Sequence, residues 1–135
     1  MKKIFLLLCT IVFVSCSNNQ AKIKAVEGYW NINQVTLPDG SDREFPFSNH
    51  MDHFEIEGSK GVKNRVSPTY DGGFISYGSP VYFKWEEIDG EIKLSFNDGD
   101  QAYQQIVKKA TDETLVLLHE NGTTYKYLKH IPNEK

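Results

Sequence analysis

From Gly28 onward the chain alternates between apolar and polar positions, and glycine, proline, asparagine or aspartate breaks the alternation about every ten residues. Val81, Phe83 and Trp85 fall on one face of a run whose other face carries Lys84 and Glu86. Asp89-Gly90 follows, and Ile92, Leu94 and Phe96 then resume the same phase. An Asp-Gly pair between two alternating runs predicts a hairpin, because the tight turn needs positive φ at both central positions. Asn121-Gly122 makes the same argument for Leu115–Glu120 and Thr123–Lys129. Weaker turns lie at Gly58–Gly61 and Asn97–Asp100.

The pattern predicts strands over 29–37, 51–57, 61–67, 73–78, 81–88, 91–97, 101–109, 114–120 and 123–130. Pro38, Pro46, Pro68 and Pro80 fall between these runs or at their starts, where a missing N–H does little harm. No window carries a helical stripe of useful length, and Gln101–Ala110 reads as a strand from its neighbours. The longest irregular piece, Asp39–Asn49, is expected to cross an open end. A long antiparallel meander loses its aggregation-prone edges by closing on itself. The fold class expected is therefore all-β, a meander closed into an eight- to nine-stranded barrel whose interior holds side chains or one small ligand.

The amino terminus follows other rules. Lys2 and Lys3 precede an apolar run, Ile4 to Val14, which ends in the small residues Ser15 and Cys16. This is the layout of a secretory signal, and the run is far short of the roughly twenty residues a spanning helix needs. Phe13-Val14-Ser15-Cys16 resembles the lipobox of bacterial lipoproteins. The resemblance implies that Cys16 takes a diacylglyceryl group, that the leader is cut before it, and that a further acyl chain such as palmitate caps the new amino terminus. Cys9 leaves with the leader, so Cys16 would be the one remaining cysteine of an exported chain, and lipid would occupy its sulfur. Serine after Cys16, by the same resemblance, favours the outer membrane, at its periplasmic face or at the cell surface. The organisation expected is a signal peptide over 1–15, a lipidated cysteine with a flexible polar tether over 16–26, and a barrel over 27–131.

Charge narrows the partners. The chain holds 15 basic and 18 acidic residues, and two of the basic ones, Lys2 and Lys3, lie in the leader. An acidic domain with no basic stripe is a poor fit to nucleic acid. Of the chain's 8 Phe, 7 Tyr and 2 Trp, Phe5 and Phe13 lie in the leader, and the other aromatic residues supply a core without metals or disulfides.

The domain as a whole resembles the lipocalin-like domains of small Bacteroidota lipoproteins. Gly28-x-Trp30 opens the first strand as in the lipocalin signature, and "TLPDGSDREF" follows as a polar turn. "ATDETLVLLHENGTTYKYLKH" closes the chain in the family's manner. The resemblance implies that Trp30 plugs the closed end of the barrel, that Gly28 permits close backbone approach, and that a late basic residue covers the indole. Lys129 is the first candidate for that residue and His130 the second.

Other chemistry is thin. His50-Met51-Asp52-His53 has the residue types of a zinc site. However, residues three apart on a strand point to opposite faces and no third ligand is near, so no metal is expected. Glu86, Glu87, Asp89 and Glu91 surround a turn, where carboxylates are solvated rather than catalytic. Ser67, Ser76, Ser79 and Ser95 lack a nucleophile-elbow context. No enzyme activity and no cofactor are expected. The aromatic run Pro68 to Trp85 offers Tyr70, Phe74, Tyr77, Phe83 and Trp85 as candidate lining for a cavity that takes a small apolar ligand. The expected function is a membrane-anchored binder of such a ligand. The alternative is an interaction module for an envelope protein or polymer, such as an inhibitor or accessory subunit of the outer membrane.

Overall fold

The computed structural model describes residues 15–44 and 50–130, with side chains from Asn19 onward. The leader, except for Ser15, lies outside the described residues, as do the side chain of Cys16 and residues 45–49 of the irregular piece. A helix, α1 (Ser15–Val26), precedes nine strands: β1 (Gly28–Thr36), β2 (Asp42–Glu44), β3 (Met51–Glu57), β4 (Lys60–Pro68), β5 (Phe74–Ile88), β6 (Glu91–Asn97), β7 (Ala102–Ala110), β8 (Thr114–His119) and β9 (Thr124–Lys129). From β3 to β9 each strand pairs antiparallel with the next. β1 pairs with both β3 and β9, which closes eight strands into a barrel, and β2 is an extra strand on β1. The expected closed meander is the observed one.

Hairpin chemistry explains the register. Asp89 and Gly90 both take positive φ, 55° and 81°, and pair Ile88 with Glu91 as an Asp-Gly turn requires. The Asn121-Gly122 hairpin forms by a different turn from the one its sequence predicts. Only Gly122 has positive φ, and Asn121 Oδ1 instead accepts the Thr123 N–H at 2.9 Å.

Three stretches depart from the expected elements. The strands predicted over 73–78 and 81–88 are one long strand, β5, and Gly78-Ser79-Pro80 is absorbed as a bulge. Lys63 pairs with Val81 and Arg65 with Tyr77, so three β5 residues oppose one on β4. A bulge admits proline because the bulged N–H owes nothing to the ladder. Part of the irregular piece forms β2, whose Arg43 pairs with Val35. The segment expected as a flexible tether is instead the helix α1.

That helix closes one end of the barrel. Asn19, Ile23 and Val26 recur at the four- and three-residue spacing of one helix face, and all three are buried. Ile23 and Val26 join the core formed by Trp30, Phe54, Phe83, Ile92, Leu94, Phe96, Val107, Leu115, Leu117 and Tyr127. At roughly 1.5–3 kcal/mol for each large side chain fully buried, this inward face of the sheet is what holds the barrel shut. One contact is unusually close. The Phe83 ring crowds its cross-strand partner Gly61, where a Cβ would fall far inside contact distance of the ring and 2.8 Å from the Glu55 carbonyl.

The closed end also explains Gly28-x-Trp30. The Trp30 indole N–H donates to the Val26 carbonyl at 2.8 Å, which ties the first strand to the last turn of α1. Lys129, the register partner of Trp30, carries its Nζ 4.6 Å from the centroid of the indole ring. The same ammonium donates to the Glu27 carbonyl at 3.2 Å. Gly28 is what lets it arrive, because a Cβ there would sit 2.8 Å from Lys129 Nζ, and φ is 134°. His130 takes no part at the indole and packs edge-on to Phe74 instead.

Candidate ligand-binding interior

Beyond Trp30 the described strands β1 and β3 part. β1 and β3 pair only through Gly28, Tyr29 and Trp30, after which β1 turns to pair with β2. A cavity of about 360 Å³ occupies this gap. Trp30 is its floor, Ile32 and Val35 come from β1, and Tyr125 and Tyr127 from β9. His50, Met51 and Asp52 come from the start of β3 and its approach, and Arg65 from β4. Its volume lies in the range that holds small ligands, and most of its lining is apolar or aromatic.

The polar groups of the interior come from strand alternation. Asp52 is two residues from Phe54 on the same face of β3, and register places Asp52 opposite Arg65 and Phe54 opposite Lys63. The buried Tyr127 hydroxyl donates to Asp52 Oδ2 at 3.2 Å, and Arg65 Nε stands 3.9 Å from Asp52 Oδ1. Burial first, and then the Asp52 charge, push the Tyr127 phenol well above its usual range. Lys63 Nζ lies 5.1 Å from the Phe96 centroid, and burial pulls its pKa down, with Asp52 only partly opposing. Phe96 stacks on Tyr103 at 4.9 Å, Tyr103 tilts against His119 at 5.2 Å, and His119 meets Tyr125 edge-on at 6.3 Å. The pKa of Tyr103 is raised by burial and then by Asp98 and Asp52. Gln105 is buried and pairs with His119 through Nε2···Nδ1 at 3.1 Å, so with the amide donating, the imidazole keeps its proton on Nε2. An aromatic band thus runs round the interior from β5 to β9, facing charged residues on β3 and β4.

The five aromatic candidates do not gather around this cavity. Tyr70 is fully exposed in the β4–β5 turn. Phe74 is on the outer wall, where its ring and that of His53 both stack on Tyr29, at 4.1 and 3.9 Å. Tyr77 is half exposed and edge-on to His50 at 4.8 Å, which brings it to the rim. Phe83 is core, and with Phe96, Tyr82 and Lys84 it borders a depression of about 500 Å³ on the barrel flank. Trp85 packs against the core and donates its indole N–H to the Gly58 carbonyl at 2.7 Å. The bulge at 78–80 and the long β4–β5 hairpin separate rings that are neighbours in sequence. The cavity residues Asp52, Arg65, Tyr125 and Tyr127 were open to discovery by register: counting back from the Gly58-Ser59 turn sets Lys63 and Arg65 on the face of Phe54.

His50 lines the cavity, and His53 stacks on the outer wall, so the two rings do not converge. Among the described residues no group of three or more His, Cys, Asp or Glu is placed to hold a metal. Glu91, from the carboxylate cluster, pairs with Lys108 at 3.0 Å on the surface.

Comparison with known proteins agrees with this architecture. A family model described as a lipocalin-like domain matches residues 26–117. The chain belongs to the lipocalin-like domain family. Among solved structures, a lipocalin-like protein from Bacteroides uniformis is 15% identical, with a TM-score of 0.50, over 78% of this chain and 99% of that one. A protein from Bacteroides eggerthii is also 15% identical, with a TM-score of 0.48, over 77% and 98%. No match is found among curated proteins. At 15% identity the likeness to the Bacteroides uniformis protein is one of fold alone.

Proposed function

We propose that this lipocalin-like domain binds a small hydrophobic molecule in its interior and performs no catalysis, and that Cys16 anchors it by lipid to the outer membrane of a bacterial envelope. The observation that carries the binding reading is the cavity of about 360 Å³ above Trp30, floored by the indole and lined mostly by aromatic and aliphatic side chains. Native mass spectrometry of the protein released from cells, with organic extraction of what accompanies it, tests this. A stoichiometric apolar passenger is expected. A clean apo mass, with no thermal shift from any apolar compound tried, counts against it.

For the anchor, Cys16→Ser is expected to leave an unlipidated precursor, and normal membrane retention of that variant would overturn the reading. On this reading the short docked helix holds the closed end of the barrel towards the lipid, and the cavity faces away from it. One observation favours the alternative, an interaction module: Tyr70, Ile75, Tyr77 and Tyr82 are exposed along the β4–β5 hairpin and its continuation.

A further inference from the structure

The outer wall of β6 to β9 has a chemistry of its own. Ile92, Leu94, Val107, Leu115, Leu117 and Tyr127 belong to the core, so the residues alternating with them point outward. On that outer face Ile106 lies opposite Leu118, and Val116 and Leu128 follow along the same strands. Leu128 is 42% exposed and the other three are half-buried. Lysines flank these aliphatics on both sides. Lys93 is the register partner of Ile106, and Val116 stands between Lys109 and Lys126. Among the described residues none of these three lysines makes an ion pair or a hydrogen bond. Two carboxylates at the margins of the wall are already engaged, Glu91 by Lys108 at 3.0 Å and Glu120 by the Gln104 N–H at 2.9 Å. A chain with more acidic than basic residues thus carries an apolar patch with a positive rim.

Topology limits what fits there. Each of β6 to β9 is paired on both sides, so the wall offers no strand edge. A partner has to lie on its face with its own backbone hydrogen bonds satisfied, as a helix does. Lys93 and Lys126 are three strands apart, about 14 Å at the usual strand spacing, and a helix is roughly 10–12 Å across. A depression of about 240 Å³ bordered by Lys93, Ile106 and Leu118 has room for one large side chain. A second copy of this chain would set lysine against lysine. We infer that this wall docks an acidic amphipathic helix of a partner protein, laid along β8 with its apolar stripe on Val116 and Leu118 and its carboxylates on the flanking lysines. The wall faces away from the interior, so the inference stands apart from ligand binding in the cavity.

The test titrates the protein released from cells with a synthetic helical peptide of about five turns, leucine at i, i+3, i+4 and i+7 and glutamate on both flanks. A matched peptide carries glutamine in place of glutamate. The glutamate peptide is expected to bind saturably, one per chain, and about tenfold more tightly than the glutamine peptide, the sum of a few exposed ion pairs. Lys93→Glu combined with Lys126→Glu should reverse the preference, so that a lysine-flanked peptide binds best. Leu118→Gln should weaken all three peptides alike, because it removes apolar contact and leaves the rim. Melting temperatures near that of the wild type show that these outer-face variants remain folded. Equal affinity for the glutamate and glutamine peptides, an unchanged preference in the double variant, or no saturable binding would overturn the inference. Lysine-dependent binding to phosphatidylglycerol vesicles without peptide binding would also overturn it, and would give the wall to a lipid surface.

Discussion

Single residues decide whether the barrel packs, and Gly61 is the sharpest case. A methyl group there would meet both the Phe83 ring and, at 2.8 Å, the Glu55 carbonyl. Gly61→Ala should destabilise the domain by roughly 1–3 kcal/mol, as overpacking does, read as a lowered urea midpoint. Adding Phe83→Leu should recover only part of this loss, because the backbone carbonyl remains. His53 makes a prediction about pH. Its ring is stacked on Tyr29, and burial lowers its pKa from 6.5, with Glu55 and Glu27 partly offsetting. The unfolded chain then takes up the proton at a higher pH than the folded one, so stability is full above about 6.5 and falls as pH drops towards the lowered folded value. Melting temperature measured from pH 7.5 to 5 should fall less steeply in His53→Gln than in the wild type. Parallel curves would show that another group sets the slope. Lys63 carries a different cost, since withdrawing an ammonium from water works against folding. Lys63→Met should raise stability by about 0.5–2 kcal/mol at neutral pH, read as a raised urea midpoint.

Elements were legible to different degrees, for physical reasons. Strands with a strict period of two and a Gly-containing turn, such as the second half of β5 with β6, stand in the sequence because alternation and turn chemistry agree; β8 with β9 stands there by alternation, although its turn differs from the expected one. The join of two predicted strands into β5 was hidden, because Gly78-Ser79-Pro80 has the composition of a turn and only pairing with β4 reveals a bulge. The helix α1 was hidden for a different reason. Among its described side chains three, Asn19, Ile23 and Val26, are buried against the barrel, too few to make an apolar stripe, and tertiary contact rather than propensity holds it. Its main tie to the sheet is the Trp30 indole bond to the Val26 carbonyl. Trp30→Phe keeps a ring at the barrel floor but leaves that carbonyl without its donor. It should cost about 1–3 kcal/mol and speed amide hydrogen exchange in α1 before it affects β6 or β7. Equal acceleration in helix and strands would mean that the bond is not what docks the helix.

At the scale of the whole molecule, closure was readable and the site was not. Regular hairpins imply a closed meander, whereas a cavity depends on where two strands separate. The separation of β1 from β3 above Trp30 follows from β1 pairing with the three-residue β2, a strand with no exceptional pattern of its own. Aromatic density pointed to Pro68–Trp85, but the long hairpin carries much of that segment to the rim and the outer wall. The interior instead draws its polar groups from β3, β4, β7 and β9, strands distant in sequence that register brings together. The proposed binding places the ligand above Trp30. Trp30 forms the floor of the cavity, and Trp85 lies apart from it with its N–H on Gly58, so one fluorescence experiment separates interior from surface. In a Trp85→Phe variant, a bromine-labelled fatty acid should quench the remaining Trp30 emission saturably at one molecule per chain. In the reciprocal Trp30→Phe variant, Trp85 should be quenched only weakly. Quenching confined to Trp85, or none that saturates, would contradict an interior site.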